Sequence, residues 1–194
     1  MNHAKRWFRE KMLAIGKLVA QTGITPNTIS VITLALNAIV AVIIAAGYLL
    51  PGGILVLLVG LLDSLDGAVA RASGQATIFG AFLDSTLDRY AEAFLFLAVV
   101  YHFQSDGVTV LLSFIALVGS VLVSYARARA EGLGLECEVG WLARPERVFI
   151  LGVGLAGAHF WPPVLLVALA VLAVFTHLTA IQRIVYVYRL TSGR

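Results

Sequence analysis

Six stretches of the chain, 27–47, 51–72, 80–103, 107–130, 144–161 and 162–188, are dominated by Leu, Val, Ala, Ile, Gly and Phe. A helix that crosses a bilayer needs about 20 mainly apolar residues, and each stretch comes close to that length or exceeds it. In a chain of 194 residues that is 60% hydrophobic and 13% charged, such runs leave too little polar surface for a water-soluble globule. The expected fold class is an all-α integral membrane protein, a single domain over 1–194 with a six-helix transmembrane bundle at 25–190.

Short turn-forming segments join consecutive runs on one side: GYLLPGG from Gly47 to Gly53, SDG from Ser105 to Gly107, and FWPP from Phe160 to Pro163. The basic residues gather at the other side, from Lys5 to Lys17, at Arg71 and Arg89, from Arg127 to Arg147, and from Arg183 to Arg194. Loops rich in Lys and Arg stay in the cytoplasm. Both termini are therefore expected to be cytoplasmic, in a cell inner membrane, with Tyr48, Tyr101 and Trp161 as interfacial aromatics at the outer ends.

Ahead of the first run, AKRWFREKMLAIGKLVA sets Trp7, Phe8, Met12, Ile15, Leu18 and Val19 on one helical arc and most of its charges on another. This predicts an N-terminal juxtamembrane amphipathic helix over 4–22, lying along anionic membrane lipid. A cleaved signal peptide would need a shorter run than the one that follows. The single Cys137 excludes an intramolecular disulfide, and the four scattered histidines suggest no zinc site. EGLGLECEVGWLA, 131–143, reads as the one substantial polar loop and as cytoplasmic.

Within this apolar chain, DSLDGAVARASGQATIFGAFLDSTLD (63–88) holds four aspartates. Counting about 1.5 Å of rise per residue from the outer edge at Pro51 puts Asp63 and Asp66 about 18 and 22 Å down. The next run is antiparallel, and from Tyr101 it puts Asp88 and Asp84 about 20 and 26 Å down. All four therefore share one level in the cytoplasmic half of the membrane. Spacings of i, i+3 and i, i+4 set each pair on a single helix face. Converging carboxylates in a low dielectric repel one another and take up protons unless a cation stands between them. Hard oxygen donors without sulfur or imidazole favour Mg2+ or Mn2+. Two rival readings are ion pairing with Arg71 and Arg89, which leaves a surplus of acid, and a cation or proton path, which the apolar outer halves do not continue. Gly67 and Gly80, beside the acids, permit either a ligand against the backbone or ordinary close helix packing.

The pattern Asp63-x-x-Asp66-Gly67-x-x-Ala70-Arg71, eight residues, Gly80-x-x-x-Asp84-x-x-x-Asp88 resembles the signature of the CDP-alcohol phosphotransferase family at every defined position. The resemblance implies six transmembrane helices, a juxtamembrane helix, a homodimer, and cleavage of a CDP-linked lipid such as CDP-diacylglycerol with release of CMP. It implies metal ligation by Asp63, Asp66 and Asp84, with Asp88 as general base and contributor to a second metal. Gly67, Gly80, Arg71 and Asp66 would face the nucleotide. TPNTIS is similar to the family's stretch at the start of the first span, which would add Asn27 and Ser30 to the nucleotide site; locally, Thr25 reads as a helix cap and Pro26 as its first turn. Two-metal sites neutralise a diphosphate and hold a nucleophile in line, which suits that chemistry.

Further arginines arrive at the aspartate level or just outside it. By the same rise, Arg127 and Arg129 lie about 30 Å below Gly107, Arg147 about 21 Å below Trp161 and Arg183 about 30 Å below Pro163. Guanidinium groups suit bidentate capture of phosphate, although cytoplasmic anchoring also explains basic helix ends. SYARARAEGLG, RPER and IQR resemble the matching segments of prokaryotic phosphatidylinositol-phosphate synthases, with Arg127 where lysine is common. That resemblance implies inositol phosphate as acceptor, bound by Ser124, Arg127, Arg129, Arg147 and Arg183. Glycerol 3-phosphate carries the same charge and is the runner-up; a non-catalytic transporter or channel is the rival class. No nucleic-acid partner is expected.

Overall fold

The structure, a computed structural model, describes residues 25–73 and 77–192, with side chains throughout those ranges except at 64–73. The amphipathic helix expected at 4–22 lies outside the described residues. The six apolar runs form six helices: α1 Pro26–Ala45, α2 Leu49–Ser73, α3 Ile78–His102, α4 Gly107–Glu131, α5 Arg144–Ala158 and α6 Pro163–Thr191.

Local chemistry sets the ends. The Thr25 hydroxyl accepts the Thr28 N–H at 3.2 Å, and Pro26 occupies the first turn of α1, where its missing N–H costs nothing. Gly47, at φ +91°, turns the chain into α2. Thr77 caps α3 through the Gly80 N–H at 2.9 Å. Asp106 caps α4 by accepting from the Val108 N–H at 3.1 Å and the Thr109 hydroxyl at 2.6 Å. The Thr109 hydroxyl bond holds the Asp106 carboxyl below its ordinary range.

The helices close a ring in the order α1, α3, α4, α6, α5, α2, each packed on the next and α2 back on α1. Its apolar core is built from Ile44, Val56, Phe96, Val99, Leu155, Leu169 and Leu172. Val31, Ile39, Val42, Leu58, Val167 and Val174 stay exposed on the outside. An apolar exterior of this extent is suited to lipid. Backbones come closest between α2 and α5, where a Cβ at Gly53 would lie 2.4 Å from the Ala156 nitrogen.

Among the described residues, α1, α4 and α6 are long and apolar enough to cross a membrane. Of the other three, α3 carries Asp84, Asp88, Arg89 and Glu92, and α2 is apolar over the short stretch Leu49–Asp63. α5 is also short: 15 residues span about 22 Å against a hydrocarbon core of about 30 Å. Its first residues are therefore recessed toward the acids. The 132–143 connection is a largely exposed loop, as its composition suggests, anchored on α6 at a few points. Cys137 is fully buried, the Leu142 N–H donates to the Thr179 hydroxyl at 3.2 Å, and Gly134 (φ +76°) and Gly140 (φ +127°) make the turns.

Gly53→Val tests the α2–α5 contact. The branched side chain meets backbone rather than a yielding side-chain tip, so a loss of about 1–3 kcal/mol is expected. It should appear as a lower thermal midpoint in detergent.

Candidate metal centre and active site

α1, α2 and α3 converge on the acids. Asp63, in the C-terminal half of α2, and Asp84 and Asp88, one turn apart on α3, each offer a carboxylate oxygen within 4.8 Å of the other two. α1 covers them with a polar stripe in an otherwise apolar helix. Asn27, Ser30, Thr33 and Asn37 recur at helical spacing, and the last three are buried. Ser30 and Thr33 line one narrow crevice with Asp63, Asp84 and Asp88. Asn37 stands deeper and donates to the Thr33 carbonyl at 3.0 Å. Gly80 faces Asn27 so closely that a Cβ would lie 2.8 Å from its amide oxygen and 2.9 Å from the Thr77 hydroxyl. Asp66, Gly67 and Arg71 continue α2 beyond Asp63, with their side chains outside the described set.

The arginines come from unequal sources. Arg89, considered from sequence as an ion-pair partner, reaches its neighbour Asp88 at 3.4 Å and the Ser85 carbonyl. Arg144, the first residue of α5, bridges two helices: one terminal nitrogen meets Asp63 and the other meets Asp88 at 2.9 Å. One turn further, Arg147 is buried and grips Glu92 with two bonds, 2.8 and 3.1 Å, while a third nitrogen approaches the Leu142 carbonyl at 3.4 Å. Asp84, Asp88 and Glu92 thus form a column on α3, and the two arginines of α5 attach to its lower members across the ring.

Arg144, Glu92 and Thr33 are the residues that sequence reasoning did not select. Each left a signal: the leading position in RPER, a spacing of four from Asp88, and the continuation of the Asn27–Ser30 stripe.

The other basic residues are less gathered. Arg183 donates to the Val139 carbonyl at 2.9 Å and to the Val123 carbonyl, tying α6 to α4 and to the 132–143 connection. Arg127 and Arg147 both lie within electrostatic reach of it. Arg129 and Arg183 share a mainly apolar cavity of about 340 Å³ on the α4–α6 flank. Arg127 is exposed and bonded to Glu131 (2.7 Å) and Glu138 (3.2 Å). Ser124 is half-buried on α4. Arg183 is central to the five residues expected to hold the acceptor, while Arg127 and Arg147 turn from it toward carboxylates.

The residues fit a divalent cation. At bond lengths of about 2.1 Å, oxygens on Mg2+ are about 3 Å apart when adjacent and about 4.2 Å when opposed, so carboxylate oxygens within 4.8 Å of one another need modest side-chain shifts to share one cation. Arg89 and Arg144 leave one negative charge uncompensated among the three described carboxylates, and Asp84 makes no ion pair among the described residues. Asp63 keeps a second oxygen beside the one bonded to Arg144, whereas the two oxygens of Asp88 face Arg144 at 2.9 Å and Arg89 at 3.4 Å. Imidazole and thiolate are absent from the triangle, so the donor set is hard.

A helical bundle with an apolar exterior and a carboxylate triangle flanked by arginines defines a class: a membrane enzyme that uses a divalent metal on phosphate-bearing substrates. Residues 23–187 match the family model for CDP-alcohol phosphatidyltransferase, and the chain belongs to that family. It is 44% identical over 147 residues to an archaetidylinositol phosphate synthase of Methanothermobacter thermautotrophicus, covering 75% of this chain and 73% of the relative. It is 36% identical over 179 residues to a phosphatidylinositol phosphate synthase of Mycobacterium bovis, covering 88% and 82%. Among solved structures, the phosphatidylinositol phosphate synthase of Mycobacterium tuberculosis with CDP-DAG bound superposes with a TM-score of 0.83 at 33% identity, over 91% of this chain and 93% of that one. The same enzyme in complex with manganese and citrate gives 0.83 and 33%, over 91% and 88%. The chain is thus a multi-pass membrane transferase of phospholipid biosynthesis and depends on a divalent metal.

Asp84→Asn should lower CMP release by about 100-fold or more, since second-shell changes alone cost 10–100-fold at metal sites. Gly80→Ala should leave the thermal midpoint nearly unchanged, because the tip of Asn27 can yield. It should raise the KM for the CDP-lipid several-fold in the same assay.

Proposed function

We propose that the chain transfers the phosphatidyl group, or its ether-lipid counterpart, from a CDP-linked lipid to inositol phosphate and releases CMP. The observation that carries this reading is the juxtaposition of two opposite sites in one ring. Carboxylates gather between α1, α2 and α3, and α4, α5 and α6 supply arginines at the same end of the bundle. The relatives named as inositol-phosphate-type synthases support the acceptor, and the CDP-DAG-bound structure supports the donor.

In this reading all six helices cross a cell inner membrane, with the active site and both termini cytoplasmic and the 4–22 segment lying on the inner leaflet. The enzyme works as a homodimer. Asp63, Asp66 and Asp84 hold Mg2+ or Mn2+, with Asp88 at a second position. When bound, the metal neutralises the diphosphate and stabilises the charge that develops on the departing CMP oxygen.

The chain's own groups do the rest. Asn27, Ser30, Asp66, Gly67, Arg71 and Gly80 accommodate the cytidine diphosphate, the glycines by letting it approach backbone. Arg183, with Ser124, Arg127, Arg129 and Arg147 around it, holds the phosphate of the acceptor. Arg147 has used three of five guanidinium donors on Glu92 and Leu142, so two remain. Asp88 takes the proton from the acceptor hydroxyl. That oxygen bonds to the β-phosphorus as the bond from the β-phosphorus to the CMP oxygen breaks. In-line displacement of this kind depends mainly on positioning and charge stabilisation.

An acceptor screen with purified protein, CDP-diacylglycerol and Mg2+ or Mn2+ tests the reading by CMP release and lipid product. Inositol phosphate should be turned over. Preference for glycerol 3-phosphate would keep the arginine pocket and change the acceptor; turnover of serine alone, or of nothing, would reject the reading. Arg129→Ala should raise the acceptor KM by about 10–100-fold, the worth of a charge-assisted hydrogen bond. The KM for the CDP-lipid should barely move.

A further inference from the structure

Arg144 lies outside the aspartate signature, yet it is the group most directly engaged with it. Its guanidinium occupies the gap between Asp63 on α2 and Asp88 on α3, one terminal nitrogen on each. This is the cation that makes so tight a group of acids tolerable in a low-dielectric interior. The same two carboxylates are the ones that a divalent metal needs.

Two further observations show that the arrangement is incomplete. The Nε of Arg144 is buried without a hydrogen-bond partner among the described residues, although a buried charged donor normally finds an acceptor. Beside the guanidinium, Asp63 and Arg144 form the polar end of a groove of about 280 Å³. Leu57, Gly60, Leu61, Pro145, Val148 and Phe149 line the rest. The side chain therefore has space to leave the carboxylates, and it carries a donor that the described residues do not satisfy.

We infer that Arg144 is an internal stand-in for the metal and becomes a ligand of the donor's diphosphate. Without metal it neutralises Asp63 and Asp88. When a divalent cation takes those oxygens, the guanidinium is displaced toward the groove. There its Nε and a terminal nitrogen form the planar fork that matches two phosphate oxygens. Arg144 thus competes with the cation for the acids and cooperates with it on the substrate. The displacement also frees Asp88 to accept the acceptor's proton. The inference rests on the proposed function for the CDP-lipid donor alone; the identity of the acceptor does not enter it.

Two variants separate charge from shape. Arg144→Gln removes the competing charge, so Mn2+ added alone, followed by the electron paramagnetic resonance of the free ion, should bind about tenfold or more tightly than to the wild type. Arg144→Lys keeps a cation and should bind Mn2+ within a few-fold of the wild type, because a compact ammonium restores most of the charge but not the fork. Binding of CDP-diacylglycerol in the presence of saturating Mn2+, measured without any acceptor, should weaken about tenfold or more in both variants.

A role confined to building the acid cluster predicts the opposite for the metal, with Arg144→Gln binding Mn2+ more weakly. That result would overturn the inference, as would unchanged Mn2+ affinity in Arg144→Gln or wild-type affinity for the CDP-lipid in either variant. The Lys variant carries the test should the Gln variant fail to fold. Wild-type protein that binds Mn2+ but no CDP-lipid would instead reject the donor reading, and this inference with it.

Discussion

Two arginines on one short helix hold the interior of the bundle together. α3 and α5 are not neighbours in the ring, yet Arg144 reaches Asp88 and Asp63, and Arg147 grips Glu92 across the space between. Both carboxylates on α3 would be costly at this depth if left alone, as would both guanidinium groups. Losing one member of such a buried pair typically costs about 3–5 kcal/mol, because the other is left charged and unpaired. The two pairs are nonetheless unlike. Glu92 and Arg147 are buried (6% and 2% exposed) and joined by two bonds, whereas Asp88, Asp63 and Arg144 keep partial access to solvent. The first pair has the character of a fixed strut and the second that of an exchangeable contact.

The geometry explains how α2, α3 and α5 carry ionisable residues inside the bundle. A bilayer-spanning segment tolerates ionisable residues where they face the bundle interior and meet partners there. The acids of α2 and α3 and the arginines at the start of α5 satisfy that condition in one another. α1 contributes through a milder device, a row of Asn27, Ser30, Thr33 and Asn37 that presents neutral oxygens and nitrogens to the crevice. α4 and α6 present apolar walls and small polar groups, and their basic residues lie at one end.

Much of the architecture was legible because apolar runs and turn residues report directly on helices in lipid. Ends moved by a few residues where local chemistry intervened: capped by Thr77, α3 starts at Ile78, two residues before the expected 80, and α6 continues to Thr191 past the expected 188. The meeting of Asp63 with Asp84 and Asp88 followed from spacing and antiparallel direction alone. The roles of Arg144, Arg147 and Glu92 did not, since a charge at a helix end reads equally well as an anchor. Only the ring order, which places α5 opposite α3, turns those side chains inward. The 131–143 segment is the loop its polar composition suggested, and what composition did not reveal is the anchoring of Cys137 and Leu142, which are buried. The resemblance to the family supplied the chemistry assigned to each aspartate, which spacing could not provide.

The shortness of α5 also makes the protein a gauge of its surroundings. In the proposed topology, a helix of about 22 Å in a hydrocarbon layer of about 30 Å would create hydrophobic mismatch on that flank, which a bilayer meets by thinning or a helix by shifting along its axis. A shift of α5 would carry Arg144 and Arg147 past the acids of α3, because both pairs depend on its axial position. Membranes of different acyl length would then alter the alignment of the charged centre with no change in the sequence.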